Sequence, residues 1–170
     1  AADKTMSILK RLPTVQRDEI ILSILEKLEI ENSEKQERLM LTWEQIDEMA
    51  ENGIDFGAHT VNHPVLSKEP LEIAKSEIAE SKIEIEKKTG KNVSGFAYPF
   101  GQAQDYDMSN VEIVKNLGFE YAVTTELGSV KPEADIFQLK RCFQGVVRLH
   151  DLFWEPYSLS TGSYGMDNKD

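Results

Sequence analysis

What most constrains the fold of this chain is a repeated switch of hydrophobic period. Residues 70–89 place Leu71, Ala74, Ile78 and Ile85 on one helical face, with Glu and Lys on the other and Gly90 as the stop. The following SGFAYPFG (94–101) reads as a strand that runs into a turn at Pro99 and Gly101. SNVEIVKNLG (109–118) then carries a capping-box pattern, with Ser109 as N-cap, Glu112 three residues on and Gly118 at the end. YAVTT (121–125) returns to strand character, and a further strand is expected within FQLKRCF (137–143). Helices alternating with short strands predict an α/β fold built on parallel strands.

Upstream, VQRDEIILSILEKLEI (15–30) spaces Ile20, Ile21, Ile24, Leu25 and Leu28 as an amphipathic helix. ENSEKQER (31–38) lacks apolar periodicity and reads as a solvated linker. LTWEQIDEMAENG (41–53) opens on a second capping box, Thr42 with Gln45, and ends at Gly53. Ile54, Phe56 and Ala58 alternate with Asp55 and Gly57, a short strand that delivers His59 at its end. The 170 residues suit one domain, expected over 1–157, with the Ser-, Gly- and Asp-rich 158–170 as a poorly ordered tail.

Composition removes some functions. A net charge of −11 sets the average surface against nucleic acid. No apolar run reaches the ~18–20 residues that span a bilayer. The single cysteine, Cys142, cannot form an intramolecular disulfide and reads as a core residue.

Parallel α/β folds gather chemistry where strands end and loops begin. Two of the three histidines, His59 and His63, fall at such a corner, in GAHTVNHP (57–64). Neutral imidazole is a good ligand for zinc and related ions, but two histidines do not hold a metal without a third ligand. By spacing alone the pair could equally be two loop histidines that hydrogen-bond their neighbours.

HTVNHP followed by FAYPFG, with LTWEQIDEMAENGIDFGAHT leading in, resembles the polysaccharide deacetylase family of carbohydrate esterases. The resemblance runs from about Met40 to Arg141. It implies a distorted (β/α) barrel with one divalent metal, usually zinc, bound by an aspartate and by the histidines matching His59 and His63. The metal would activate water against an acetylated glycan, releasing acetate. In AYPF (97–100) the backbone N–H of Phe100 would hold the oxyanion, while Tyr98, Pro99 and Arg141 would line or orient the substrate groove. Ala97 stands where many members have an arginine that orients the base, as in a subgroup. Thr60 and Pro64 read as loop stabilisers.

Two family motifs lack a clear match. No Asp-Asp strand end occurs, so the resemblance implies a C-terminal portion lacking the first barrel strand or strands. An exposed strand edge, and self-association through it, would follow. Asp105 or Asp107 could stand in as ligand, although loop aspartates are usually solvated. RLHD offers His150 as general acid, or as an exposed or capping histidine. The expected function is metal-dependent deacetylation of an N- or O-acetylated polysaccharide, with this chain inactive alone. Two alternatives are a non-catalytic glycan-binding module and a metal hydrolase of small cyclic amides. Family members suggest a secreted or cell-envelope setting; the residues themselves leave localisation open.

Overall fold

A computed structural model of the chain describes residue 5, residues 8–29 and residues 40–141. Helix α1 (Thr14–Lys27) follows Pro13, and both the amide and the hydroxyl of Thr14 donate to Glu69 Oε1 at 2.6 Å. Helix α2 (Trp43–Glu51) starts as its pattern predicts. Thr42 accepts from the Gln45 amide while the Gln45 side chain accepts from the Thr42 amide. Gly53, at φ 90°, turns the chain out of it.

The strand expected at 54–58 is reduced to one parallel bridge, Ala58 to Phe96. The Ala58 amide donates to Gly95 O, and the Ala97 amide donates to Ala58 O, both at 2.9 Å. Ile54 stays 46% exposed, so the alternation there has no sheet face to bury. A 3-10 turn (Leu66–Lys68) leads to helix α3 (Leu71–Thr89), which Gly90 ends in the left-handed conformation. Ala74, Ile78 and Ser81 form its buried face, with Ile85 partly covered. Leu71, expected on that face, is 50% exposed at the first helical position, beyond the reach of the core.

Strand β1 (Gly95–Ala97), helix α4 (Met108–Asn116), strand β2 (Tyr121–Leu127) and strand β3 (Leu139–Arg141) complete the order. The strands pair in parallel as β1-β2-β3, as the α/β reading expects. One expectation is corrected at α4: the N-cap is Asp107, not Ser109, and the N3 partner is Asn110, not Glu112. Asp107 accepts from the Ser109 and Asn110 amides, so helix begins two residues earlier than the Ser–Glu spacing implied. The core unites Ala74 and Ile78 of α3, Val111 and Val114 of α4, Phe96 of β1 and Ala122 of β2. Cys142, His150 and the tail 158–170 lie outside the described residues.

Candidate active site

His59 leaves the sheet immediately after the Ala58 bridge. Its Nδ1 lies 2.7 Å from the carbonyl oxygen of Ala97. A carbonyl only accepts, so Nδ1 carries a proton, and in the neutral tautomer the lone pair lies on Nε2. Metal-binding histidines use this arrangement, the second nitrogen held by backbone or carboxylate. The His63 ring meets His59 edge-on, with centroids 4.7 Å apart and planes at 76°. Burial, and next the neighbouring His59, hold His63 below the ordinary imidazole range. That shift favours the neutral ring, the form that can ligate.

The chain doubles back between the two rings through left-handed backbone at Thr60 (φ 64°) and His63 (φ 53°). Thr60 closes the turn, its hydroxyl donating to His59 O at 2.6 Å and accepting from the His63 amide at 3.2 Å. Phe100 on the adjoining loop is also left-handed (φ 61°). Each such non-glycine residue costs roughly 1–2 kcal/mol. Three of the four among the described residues lie in these two loops, and strain of this kind collects at functional sites.

Phe100 packs edge-on against His63, centroids 4.8 Å apart. The Gly101 amide donates to Pro99 O at 2.7 Å across it, and the Thr125 hydroxyl donates to Phe100 O. Among the described residues no acceptor meets the Phe100 N–H. A cleft of about 580 Å³ opens beside His63 and Phe100, walled by Leu9, Leu12, Ile21 and Val65.

Other expected site residues lie elsewhere. Tyr98 is fully buried and stacks on Tyr106 at 4.2 Å, and its hydroxyl donates to Phe137 O at 3.0 Å. Burial pushes its phenol pKa upward. Pro99 is also fully buried. Both shape the loop from beneath instead of lining a groove, because the backbone turns at Phe100 and leaves 98–99 facing the core. Arg141 is exposed at the end of β3 and is not among the cleft-lining residues.

Asp105 is 2% exposed, contrary to the expectation of a solvated loop aspartate. One of its oxygens takes Lys10 Nζ at 3.0 Å and the Gln102 amide at 3.1 Å. Asp107 is committed to its cap. Among the described residues no third His, Cys, Asp or Glu joins the histidine pair. Imidazole is a ligand type that divalent ions take, and among the described residues the pair stands without a third such group beside it.

Sequence reasoning missed the groups around the loops. Lys10 pairs with Asp105 across 95 positions and stands 4.5 Å from the Phe100 ring centroid. Arg17 donates to His63 O and Asn62 O at 3.4 Å, and Glu77 reaches the same loop from α3. No local pattern signals contacts made at such separations.

Residues 11–122 match the profile described as polysaccharide deacetylase, well over half of the chain. The chain belongs to the polysaccharide deacetylase family. At 30% identity over 111 residues it is similar to the poly-beta-1,6-N-acetyl-D-glucosamine N-deacetylase of Staphylococcus epidermidis, covering 60% of this chain and 37% of that protein. Among solved structures, the Streptococcus pyogenes deacetylase PplD in complex with acetate aligns with a TM-score of 0.58 and 30% identity, covering 65% of this chain and 47% of that one. The polysaccharide deacetylase BC0361 of Bacillus cereus aligns at 0.51 and 32%, covering 60% and 32%. The chain spans about a third of the length of the curated relatives it matches. Its parallel α/β architecture is that of a partial deacetylase barrel.

Proposed function

We propose that this chain carries the histidine corner and the oxyanion donor of a metal-dependent hydrolase that removes acetyl groups from an N- or O-acetylated polysaccharide. The supporting observation is the convergence of His59 and His63 beside the Phe100 N–H, which meets no acceptor among the described residues. His59 Nε2 and the His63 ring would hold a divalent ion, zinc being first choice for two imidazoles and a carboxylate. Such an ion, when bound, activates water and polarises the acyl carbonyl. Ala97 O keeps the His59 lone pair pointed outward. The Phe100 N–H donates to the oxygen on which charge develops, an interaction worth about 3–4 kcal/mol where such donors have been removed. His150 as general acid belongs to the same reading, whereas Arg141, exposed at the end of β3, takes no part in it.

With two imidazoles and no third ligand beside them among the described residues, this chain alone is expected to bind zinc weakly and to release no acetate. The same observation favours a second reading, a glycan-binding module that kept the groove and lost the chemistry. Two measurements separate them. Acetate release from N-acetylglucosamine oligomers is followed for this chain and for a chimera in which it replaces the matching part of a full-length relative. The chimera is expected to be active, and His59→Ala or His63→Ala to cost it at least ~100-fold. A folded chimera that binds the oligomers without releasing acetate supports the module instead. Tight one-to-one zinc binding by the chain alone overturns its expected inactivity.

A further inference from the structure

The turn between the two histidines is held from outside itself. Glu77, one third of the way along α3, extends its carboxylate under residues 61–62. Its Oε2 accepts from the Val61 amide at 2.9 Å and from the Asn62 amide at 2.8 Å. Its Oε1 accepts from the Asn62 side-chain amide at 2.7 Å. Both oxygens are thus spent on the loop, and α3 itself is anchored in the core on either side of this position by Ala74 and Ile78. Arg17 also reaches the loop, donating to two of its carbonyls at 3.4 Å.

Loop amides are satisfied by water at little cost, so three charge-assisted bonds from one carboxylate of α3 ask for a reason. The reason lies in the residues they bracket. Thr60 and His63 are both left-handed, and for the β-branched Thr60 that region is a true outlier. Released from Glu77, the 61–62 backbone no longer holds its neighbours Thr60 and His63 in place, and those two are free to relax toward right-handed or extended backbone. The Thr60 turn then loses its closure, and His63 swings away from His59.

We infer that Glu77 is a positioning residue for the histidine pair: its carboxylate fixes the 60–63 turn so that the two imidazoles converge. This rests on the proposed function only for its purpose; the geometric effect holds with or without a metal. Glu77 touches neither reacting atoms nor the rings. Its action passes through the backbone of 61–62, which is why no motif centred on the histidines contains it. Sixteen positions separate it from Val61.

The test compares wild type, Glu77→Ala, Glu77→Gln and Ile78→Val. Ile78→Val lowers stability through the core of the same helix without touching the loop. Two readouts are taken by NMR on the metal-free chain: amide exchange at Val61 and Asn62, and nuclear Overhauser contacts between the His59 and His63 rings. Glu77→Ala is expected to exchange those two amides at least tenfold faster and to lose the inter-ring contacts. Glu77→Gln, whose carbonyl oxygen can still accept both amides, is expected to keep them, as is Ile78→Val. Unchanged exchange and ring contacts in Glu77→Ala overturn the inference. So does equal loss in Ile78→Val, which would make the effect one of general stability. Zinc titration of the same proteins adds the consequence: outer partners of metal ligands are worth about 10–100-fold in affinity. If zinc binds wild type and Glu77→Ala equally, the positioning role fails. If wild type takes up no zinc, the functional reading suffers, while the exchange and ring-contact data still decide this one.

Discussion

Thr60 closes the histidine turn from within the motif that identifies the family, while Glu77 and Arg17 hold the same loop from outside it. His59 and His63 could be picked out because imidazole chemistry is rare and their spacing is short. Tyr98 stands one residue after Ala97, whose carbonyl orients His59, yet its ring is in the core and its hydroxyl is spent on Phe137 O. Gly101 shows how strict the neighbouring turn is. At φ 66°, an added Cβ would lie 2.7 Å from the Thr125 amide nitrogen and 3.1 Å from Tyr98 O, both rigid backbone. Gly101→Ala is expected to destabilise by about 2 kcal/mol or more, combining left-handed strain with a forced shift of the Phe100 loop. Denaturant midpoints check this; a change under about 0.5 kcal/mol would show that the turn relaxes freely.

At the scale of elements, local rules did well wherever a helix begins or ends against solvent. The Thr42–Gln45 box and the Gly90 stop stand where the sequence puts them, since caps depend only on near neighbours. The α4 start was misjudged because Asp107 and Ser109 both suit an N-cap, and packing of Asn110 and Val111 into the core selects the earlier one. Hydrogen bonds from Ser109, and the capped amides, hold the Asp107 carboxyl below its usual value of 3.8. A depressed folded-state pKa means that this cap stabilises above the unfolded value and is lost as pH falls through the folded one. Asp107→Ala is expected to cost about 1 kcal/mol at pH 7. The gap to wild type should close below pH 3.8, which thermal melts across pH 2–7 would reveal. A gap independent of pH would mean that the carboxylate charge contributes nothing.

Across the whole molecule, stability is uneven. Helix α1 buries none of its residues, and Ile20, Leu22, Ile24 and Leu25 remain over a third exposed. Its attachment runs through Thr14 to Glu69, Arg17 to the histidine loop and, just ahead of it, Lys10 to the buried Asp105. Elements with few buried apolar contacts open first. Amide exchange in α1 is therefore expected to be fastest among the described helices. Lys10→Met should accelerate it further and leave a buried carboxylate unpaired, at a cost of about 2–3 kcal/mol. Equal protection of α1 and α3 would refute this hierarchy. Amino-acid order by itself determined the helix–strand alternation, the Thr42–Gln45 cap, the Gly90 stop and the histidine corner, because each depends on periodicity or on residues a few positions apart. Tertiary structure alone decided that the first strand shrinks to one bridge and that Tyr98 and Pro99 turn inward. It alone decided, too, that Glu77, Arg17 and Lys10 grip the site loops. Those outcomes depend on which backbone groups find partners across tens of residues, and no local pattern encodes that choice.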